Sequence, residues 1–131
     1  MVIDGQGGGI GAAVIKGLRE AFGNDQEIYA LGTNSIATSR MMKSGANRGA
    51  TGENAIVRTC GQVDVIVGPL AIVISNAMMG EVTPRIAEEL CSCGAKKILI
   101  PLTQENVDIV GIKSEPLPHM VQKAVQSIKE V

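Results

Sequence analysis

A glycine-rich segment near the start of the chain is the strongest candidate for chemistry. The segment Asp4–Ala12 reads D-G-Q-G-G-G-I-G-A and follows the β-branched pair Val2-Ile3. Gly7, Gly9 and Ala12 match the G-x-G-x-x-G/A spacing of dinucleotide-binding turns. Glycine allows unusual backbone angles and close approach of amides to an anion, and the helix that follows adds its N-terminal dipole. We therefore predict a phosphate site here. The predicted contacts are Gln6, Gly7, Gly8, Gly9, Ile10 and Gly11.

Polar residues later in the chain supply further candidates. Thr33 and Asn34 follow a predicted strand, where dinucleotide enzymes carry an acid for the ribose. With Ser35 and Arg40 they could instead suit a 2′-phosphate, although such polar turns are common. In the second glycine-rich stretch, Ser44–Asn54, Arg48 could clamp an anion, and Thr51 could cap a helix or hold a second anion. We expect the part from Asn47 to Asn54 to close over the site. Because ligands bind at the carboxyl ends of parallel strands, Gly68, Pro69, Thr103 and Gln104 are placed along the same edge.

The elements that must position these residues alternate between β-branched runs and helical patterns. This alternation predicts a single Rossmann-like domain over residues 1–131, an α/β three-layer sandwich with a mostly parallel five-stranded sheet, Rossmann-like or flavodoxin-like. The predicted strands are Val2–Asp4, Glu27–Gly32, Val63–Gly68, Lys97–Leu102 and Val107–Ile112. The predicted helices are Ile10–Phe22, Ser35–Ser44, Gly52–Cys60, Thr83–Cys93 and Pro118–Val131. Only four residues separate Val107–Ile112 from the predicted strand before it, which is too few for a helical crossover, so it is expected as an antiparallel edge strand. The structure of Leu70–Met79 stays open between strand, helix and loop.

Composition excludes several classes of partner. The net charge of −1 and pI near 5.8 argue against nucleic acid, and the chain has no Trp, one Tyr and one Phe for base stacking. No apolar run reaches the roughly 20 residues of a membrane span, and no signal peptide is visible. Three cysteines form no disulfide framework and no zinc pattern, so we expect a reducing cytoplasm and no metal, with Cys91 and Cys93 left without a role.

The predicted function is binding of a nucleotide, dinucleotide or other phosphorylated small molecule, with catalysis left open. A small NAD(P)-dependent oxidoreductase or FMN carrier is one alternative. Against the oxidoreductase, no acid ends the second strand and the motif Tyr-x-x-x-Lys is absent. Against the FMN carrier, only Tyr29 and Phe22 could stack on an isoalloxazine. A non-catalytic oligomeric sensor or interaction module is another, and the apolar excess favours a homo-oligomer. Asp4 with Glu53 is the only acid–base pair available to a small transferase or hydrolase. For Asp4 alone, we favour a role in holding the glycine turn over a role as metal ligand or base.

Two motifs taken together point to a family. Ile3–Gly11 (I-D-G-Q-G-G-G-I-G) and Asn47–Asn54 (N-R-G-A-T-G-E-N) resemble a family of small bacterial proteins described only as a domain of unknown function. The resemblance covers nearly the whole chain, including Val67-Gly68-Pro69 and Asn76–Glu81 (N-A-M-M-G-E). It implies a ligand site common to the family and supplies neither an activity nor catalytic residues.

Overall fold

The computed structural model describes residues 1–102 and 105–131, which fold into alternating strands and helices. The strands are β1 (Val2–Asp4), β2 (Tyr29–Gly32), β3 (Arg48–Thr51), β4 (Val65–Pro69) and β5 (Lys96–Ile100). The helices are α1 (Gly9–Phe22), α2 (Ser35–Lys43), α3 (Glu53–Cys60), α4 (Pro84–Ser92) and α5 (Leu117–Lys129). A short 3-10 turn, Leu70–Val73, and the turns after it occupy the segment whose structure the sequence left open.

The five strands form one parallel sheet in the order β3-β2-β1-β4-β5. The predicted α/β class is therefore confirmed, and the expectation of an antiparallel edge strand is wrong. β1 lies at the centre, the chain builds outward through β2 to β3, and it then returns across β1 to begin β4. β1 and β4 are thus neighbours at the point where the order of strands reverses.

Both sides of the sheet are covered, as continuous apolar strands require. Val2 of β1 and Val67 of β4 pack with α1, α2 and α5 on one face, while Ile3 and Ile66 pack with α3 and α4 on the other. Successive residues of a strand point to opposite faces, which explains why adjacent residues belong to different core clusters. Within the described residues, no helix is long and apolar enough to cross a membrane.

One strand is where the sequence predicted a loop. Arg48–Thr51 pairs in parallel with β2, from Tyr29 opposite Arg48 to Gly32 opposite Thr51. All four β3 residues are exposed, so the strand carries no apolar pattern, and backbone pairing with β2 forms it. The expected closure of Asn47–Asn54 over the site is wrong, because this segment forms the sheet edge and the first residues of α3.

The predicted fifth strand at Val107–Ile112 is also wrong. These residues form neither strand nor helix, and the positive φ of 90° at Gly111 belongs to a turn. Val110 is fully exposed and Val107, Ile109 and Ile112 are largely exposed, so their β propensity is not matched by burial. The fifth strand of the sheet is instead β3, at the edge beside β2.

Candidate functional site

A groove opens at the carboxyl ends of β1 and β4, where the strand order reverses. It has a volume of about 900 Å³ and is bounded by the loop after β1, by the turns after β4 and by the start of α5. Doubly wound sheets bind ligands in this crevice because the loops leaving two neighbouring strands diverge to opposite faces. Its lining includes Gln6, Gly7, Gly9, Arg40, Pro69 and Met78.

The loop between β1 and α1 presents backbone donors to this groove. Gln6 and Gly8 have left-handed φ values of 47° and 73°, which turn the chain sharply into the helix. The Gly8 N–H donates to the Gly5 carbonyl at 2.9 Å. The N–H groups of Gly7 and Gly9 donate to no atom of residues 1–102 or 105–131. Two donors therefore remain available at the positive end of α1.

Asp4 holds this turn from below, as the sequence led us to expect. Its Oδ1 accepts a hydrogen bond from the Gly5 N–H and its Oδ2 accepts one from the Gly11 N–H, each at 2.7 Å. The residue is only 3% exposed. Burial raises the pKa of Asp4 above its ordinary value, although the hydrogen bonds from the loop, that of Gly11 first, work in the opposite direction. Both carboxylate oxygens are thus engaged with the backbone of the loop.

Glu81 is a site residue that the sequence analysis did not select. Its Oε1 accepts hydrogen bonds from the Gln6 N–H at 2.8 Å, from the Thr33 hydroxyl at 2.7 Å and from the Asn34 Nδ2 at 2.8 Å. Partial burial acts to raise the pKa of Glu81, but these three hydrogen bonds outweigh it, and the pKa lies below its ordinary value. Only its place in the Asn76–Glu81 motif marked this carboxylate in the sequence.

Thr33 and Asn34 do lie beside the glycine loop, at the end of β2. The Asn34 Oδ1 caps α2 by accepting from the Ala37 N–H at 2.9 Å, while its Nδ2 also donates to the Gln6 carbonyl at 2.9 Å. Their side chains are bonded to the protein itself, chiefly through Glu81. They support the glycine loop, and the carboxylate that lies at the end of β2 belongs to Glu81, from a different part of the chain.

Among the described residues that line the groove, the cation is Arg40, on α2. Its Nη1 donates to the Gly7 carbonyl at 3.4 Å, and the guanidinium lies over Gly9. Arg48 is not brought here, because it begins β3 whereas the groove lies at the carboxyl ends of the strands. At about 3.3 Å per residue, Arg48 is roughly 10 Å from the end of its own strand, at Thr51.

Two other predicted ligand contacts, Thr51 and Gly68, take part in contacts within the protein. Thr51 lies two strands from β1, and its hydroxyl shares a 2.7 Å hydrogen bond with the Thr38 hydroxyl. Gly68 packs inside the sheet, where a Cβ would come within 2.4 Å of the Ile3 carbonyl oxygen, and it is the next residue, Pro69, that lines the groove. Thr103 and Gln104 lie outside the described residues.

The loop that carries Glu81 has an unusual backbone. Asn76, Met78 and Met79 have positive φ values of 67°, 56° and 58°, a region that non-glycine residues rarely occupy. The Asn76 N–H donates to the Val82 carbonyl at 2.7 Å, and the Met78 N–H donates to the Glu105 Oε1 at 2.7 Å. Strain of this kind persists where the surroundings determine it, and here it brings Met78 and Met79 to the groove.

The cysteines lie away from this groove. Cys60 is buried in the core beside α4, and burial raises the pKa of its thiol to about 11. Cys91 is exposed and Cys93 is half-buried, at the end of α4. No group of three or more His, Cys, Asp or Glu side chains that could hold a metal ion occurs in residues 1–102 and 105–131.

Fold and groove together define an α/β protein of doubly wound topology with a glycine-rich loop at its switch point. The chain belongs to the family described as "Domain of unknown function (DUF3842)", whose model matches residues 1–131. No curated protein and no solved structure matches the chain.

Proposed function

We propose that this protein binds a nucleotide or another phosphorylated small molecule in the groove at the ends of β1 and β4. The observation that carries the proposal is the pair of N–H groups at Gly7 and Gly9, which have no acceptor among residues 1–102 and 105–131, with the Arg40 guanidinium beside them. Backbone donors at a helix N-terminus and a guanidinium are the groups that recognise phosphate oxygens.

The electrostatics of the loop are compatible with an anion although two carboxylates lie close by. Asp4 accepts from two backbone N–H groups, and the Glu81 Oε1 accepts from three donors. Such hydrogen bonds disperse the negative charge into the loop itself. Arg40 and the N-terminal end of α1 then provide the positive potential on the groove side.

Binding is favoured over catalysis by the residues available. The described lining of the groove contains Asp4, Glu105 and Arg40 as its ionisable side chains, with Asp4 engaged by the loop and Glu105 bonded to Met78. The groove's described lining offers no aromatic ring on which an isoalloxazine could stack, which weighs against the FMN alternative. The homo-oligomeric state and the cytoplasmic location stay predictions.

Substitution of Arg40 tests the proposal, with Arg48 as a matched control. Calorimetric titration with inorganic phosphate and AMP should show binding to the wild type. Arg40→Ala should weaken it by about tenfold or more, because a charge-assisted hydrogen bond contributes about 1.5–3 kcal/mol. Arg48→Ala removes the same charge from the opposite end of β3 and should leave the affinity unchanged. Absence of binding to the wild type, or an equal loss in both variants, would exclude this site.

A further inference from the structure

The side of the site over β2 is occupied by the protein's own side chains. In doubly wound folds, a dinucleotide crosses the glycine loop and places one ribose at the end of β2. Here Glu81 lies at that place, bonded to Gln6, Thr33 and Asn34. A ligand ribose at the same position would have to displace this carboxylate from three donors.

Packing around Gly5 shows how completely this side is filled. A Cβ at Gly5 would lie 2.4 Å from the Thr33 Oγ1, 2.6 Å from the Met78 Sδ and 3.0 Å from the Glu81 Oε1. The side chains of Met78 and Glu81 therefore pack against the ends of β1 and β2. Contacts this close leave no room for a ligand between these two side chains and Gly5.

The closing segment is also held at its base. Hydrogen bonds from Asn76 to Val82 and from Met78 to Glu105 fix the turn, and three non-glycine residues keep left-handed angles within it. The groove that remains open is lined by Gly7, Arg40, Pro69 and Leu117, and Met78 also lines it. The filled region at the end of β2 and the open groove thus both adjoin the loop that carries the backbone donors.

Resting on the proposed function, we propose that Glu81 closes the β2 side of the site and restricts it to compact ligands. The chemical class is a monophosphate, such as a mononucleotide or a sugar phosphate, lying on the β4 side of the glycine loop. A dinucleotide binds through one half only, because its other half finds the end of β2 occupied. Glu81 thus determines specificity by occupying space, and it does not itself contact the ligand.

The first test compares NAD⁺ with its two halves, AMP and nicotinamide mononucleotide, on the wild-type protein by calorimetry. We expect NAD⁺ to bind within about threefold of the better half, whereas a site that holds both halves gains about 100-fold or more. A gain of that size would contradict the proposed closure by Glu81 but would still agree with phosphate binding in the groove. Failure of all three probes and of inorganic phosphate would instead refute the proposed function.

The second test opens the site by substitution. Glu81→Ala removes the acceptor of all three hydrogen bonds and should raise affinity for NAD⁺ about tenfold while changing that for AMP by less than about threefold. Glu81→Gln keeps an acceptor oxygen and should stay closed, and Glu88→Ala, an exposed site on α4, controls for loss of a carboxylate. If Glu81→Ala unfolds, Thr33→Ala removes one donor and should give a smaller gain. An unchanged NAD⁺ affinity in folded Glu81→Ala, or in Thr33→Ala if Glu81→Ala does not fold, would overturn the inference.

Discussion

Gly7 is the residue at which binding can be separated from folding. A Cβ there would meet nothing nearer than the Arg40 Nη1, at 4.0 Å, and Gly7 does not have a left-handed φ. Gly7→Ala should therefore leave the free energy of unfolding within about 0.5 kcal/mol of the wild type. Its methyl group should nevertheless hold a phosphate away from the backbone and weaken inorganic phosphate binding by about tenfold.

Gly61→Ala is the matched control for Gly7→Ala. The nearest atom to its Cβ would be the Arg58 carbonyl oxygen, at 3.9 Å, and it lies at the end of α3 away from the groove. Denaturant unfolding and phosphate titration on both variants measure the two effects. Undiminished phosphate affinity in folded Gly7→Ala would show that the anion does not approach this loop.

Glu81 gives the glycine loop a pH dependence of predictable sign. Its folded pKa lies below 4.5, so the ionised form stabilises the native state fully above that pH. This contribution is lost as the pH falls below 4.5 and through the folded pKa. The stability difference between wild type and Glu81→Gln should therefore shrink as the pH is lowered across this range.

Urea unfolding of the two proteins at several pH values measures that difference. Asp4 titrates in the opposite sense because its pKa is raised, but it is present in both proteins and largely cancels. A wild-type advantage that grows on acidification would contradict the hydrogen bonds assigned to Glu81.

The elements differ in how far the sequence determines them. β1 and α1 were predicted closely, because a buried β-branched run, a glycine turn and a helical stripe are all local signals. β3 carries no such signal, since its pairing with β2 comes from the tertiary structure. Glu81 was missed for the same reason: its partners are 47 to 75 residues away in sequence. We expected Arg48 to clamp the anion, and not Arg40, because the sequence does not show that Arg48 begins a strand whose other end faces the site.

The edge strand β3 depends on a glycine for its contact with α2. A Cβ at Gly49 would lie 2.8 Å from the Met42 Sδ and 3.0 Å from the Thr38 Cγ2. Gly49→Val should therefore push the Met42 and Thr38 side chains of α2 aside and destabilise the protein by about 1 kcal/mol, the lower end of the usual cost of overpacking. The same replacement at Gly94, which has nothing within 4 Å, should be tolerated. Equal midpoints in urea for the two variants would show that β3 does not pack as described.

At the scale of the whole molecule, the groove is bordered by both halves of the sheet and by the connection that precedes α5. Leu102, Glu105 and Leu117 line it, and between them runs the exposed segment from Val107 to Lys113, which has neither helix nor strand. Exposed segments without regular hydrogen bonding are the preferred sites of proteolysis. We therefore expect trypsin to cut the native protein first after Lys113.

Ligand should slow that cleavage even though Lys113 is not in the groove. We expect a phosphate compound bound in the groove to contact one or more of the three lining residues that flank the segment. At 100 times its dissociation constant it should stabilise the native state by about 2.7 kcal/mol. AMP at that concentration should thus lengthen the lifetime of the intact chain more in the wild type than in Arg40→Ala, because a tenfold weaker affinity lowers the stabilisation to about 1.4 kcal/mol. Mass spectrometry of the first fragments, with and without AMP, measures both the position and the rate. A first cut inside α1 or α2, or equal protection of both proteins, would contradict a link between the groove and this connection.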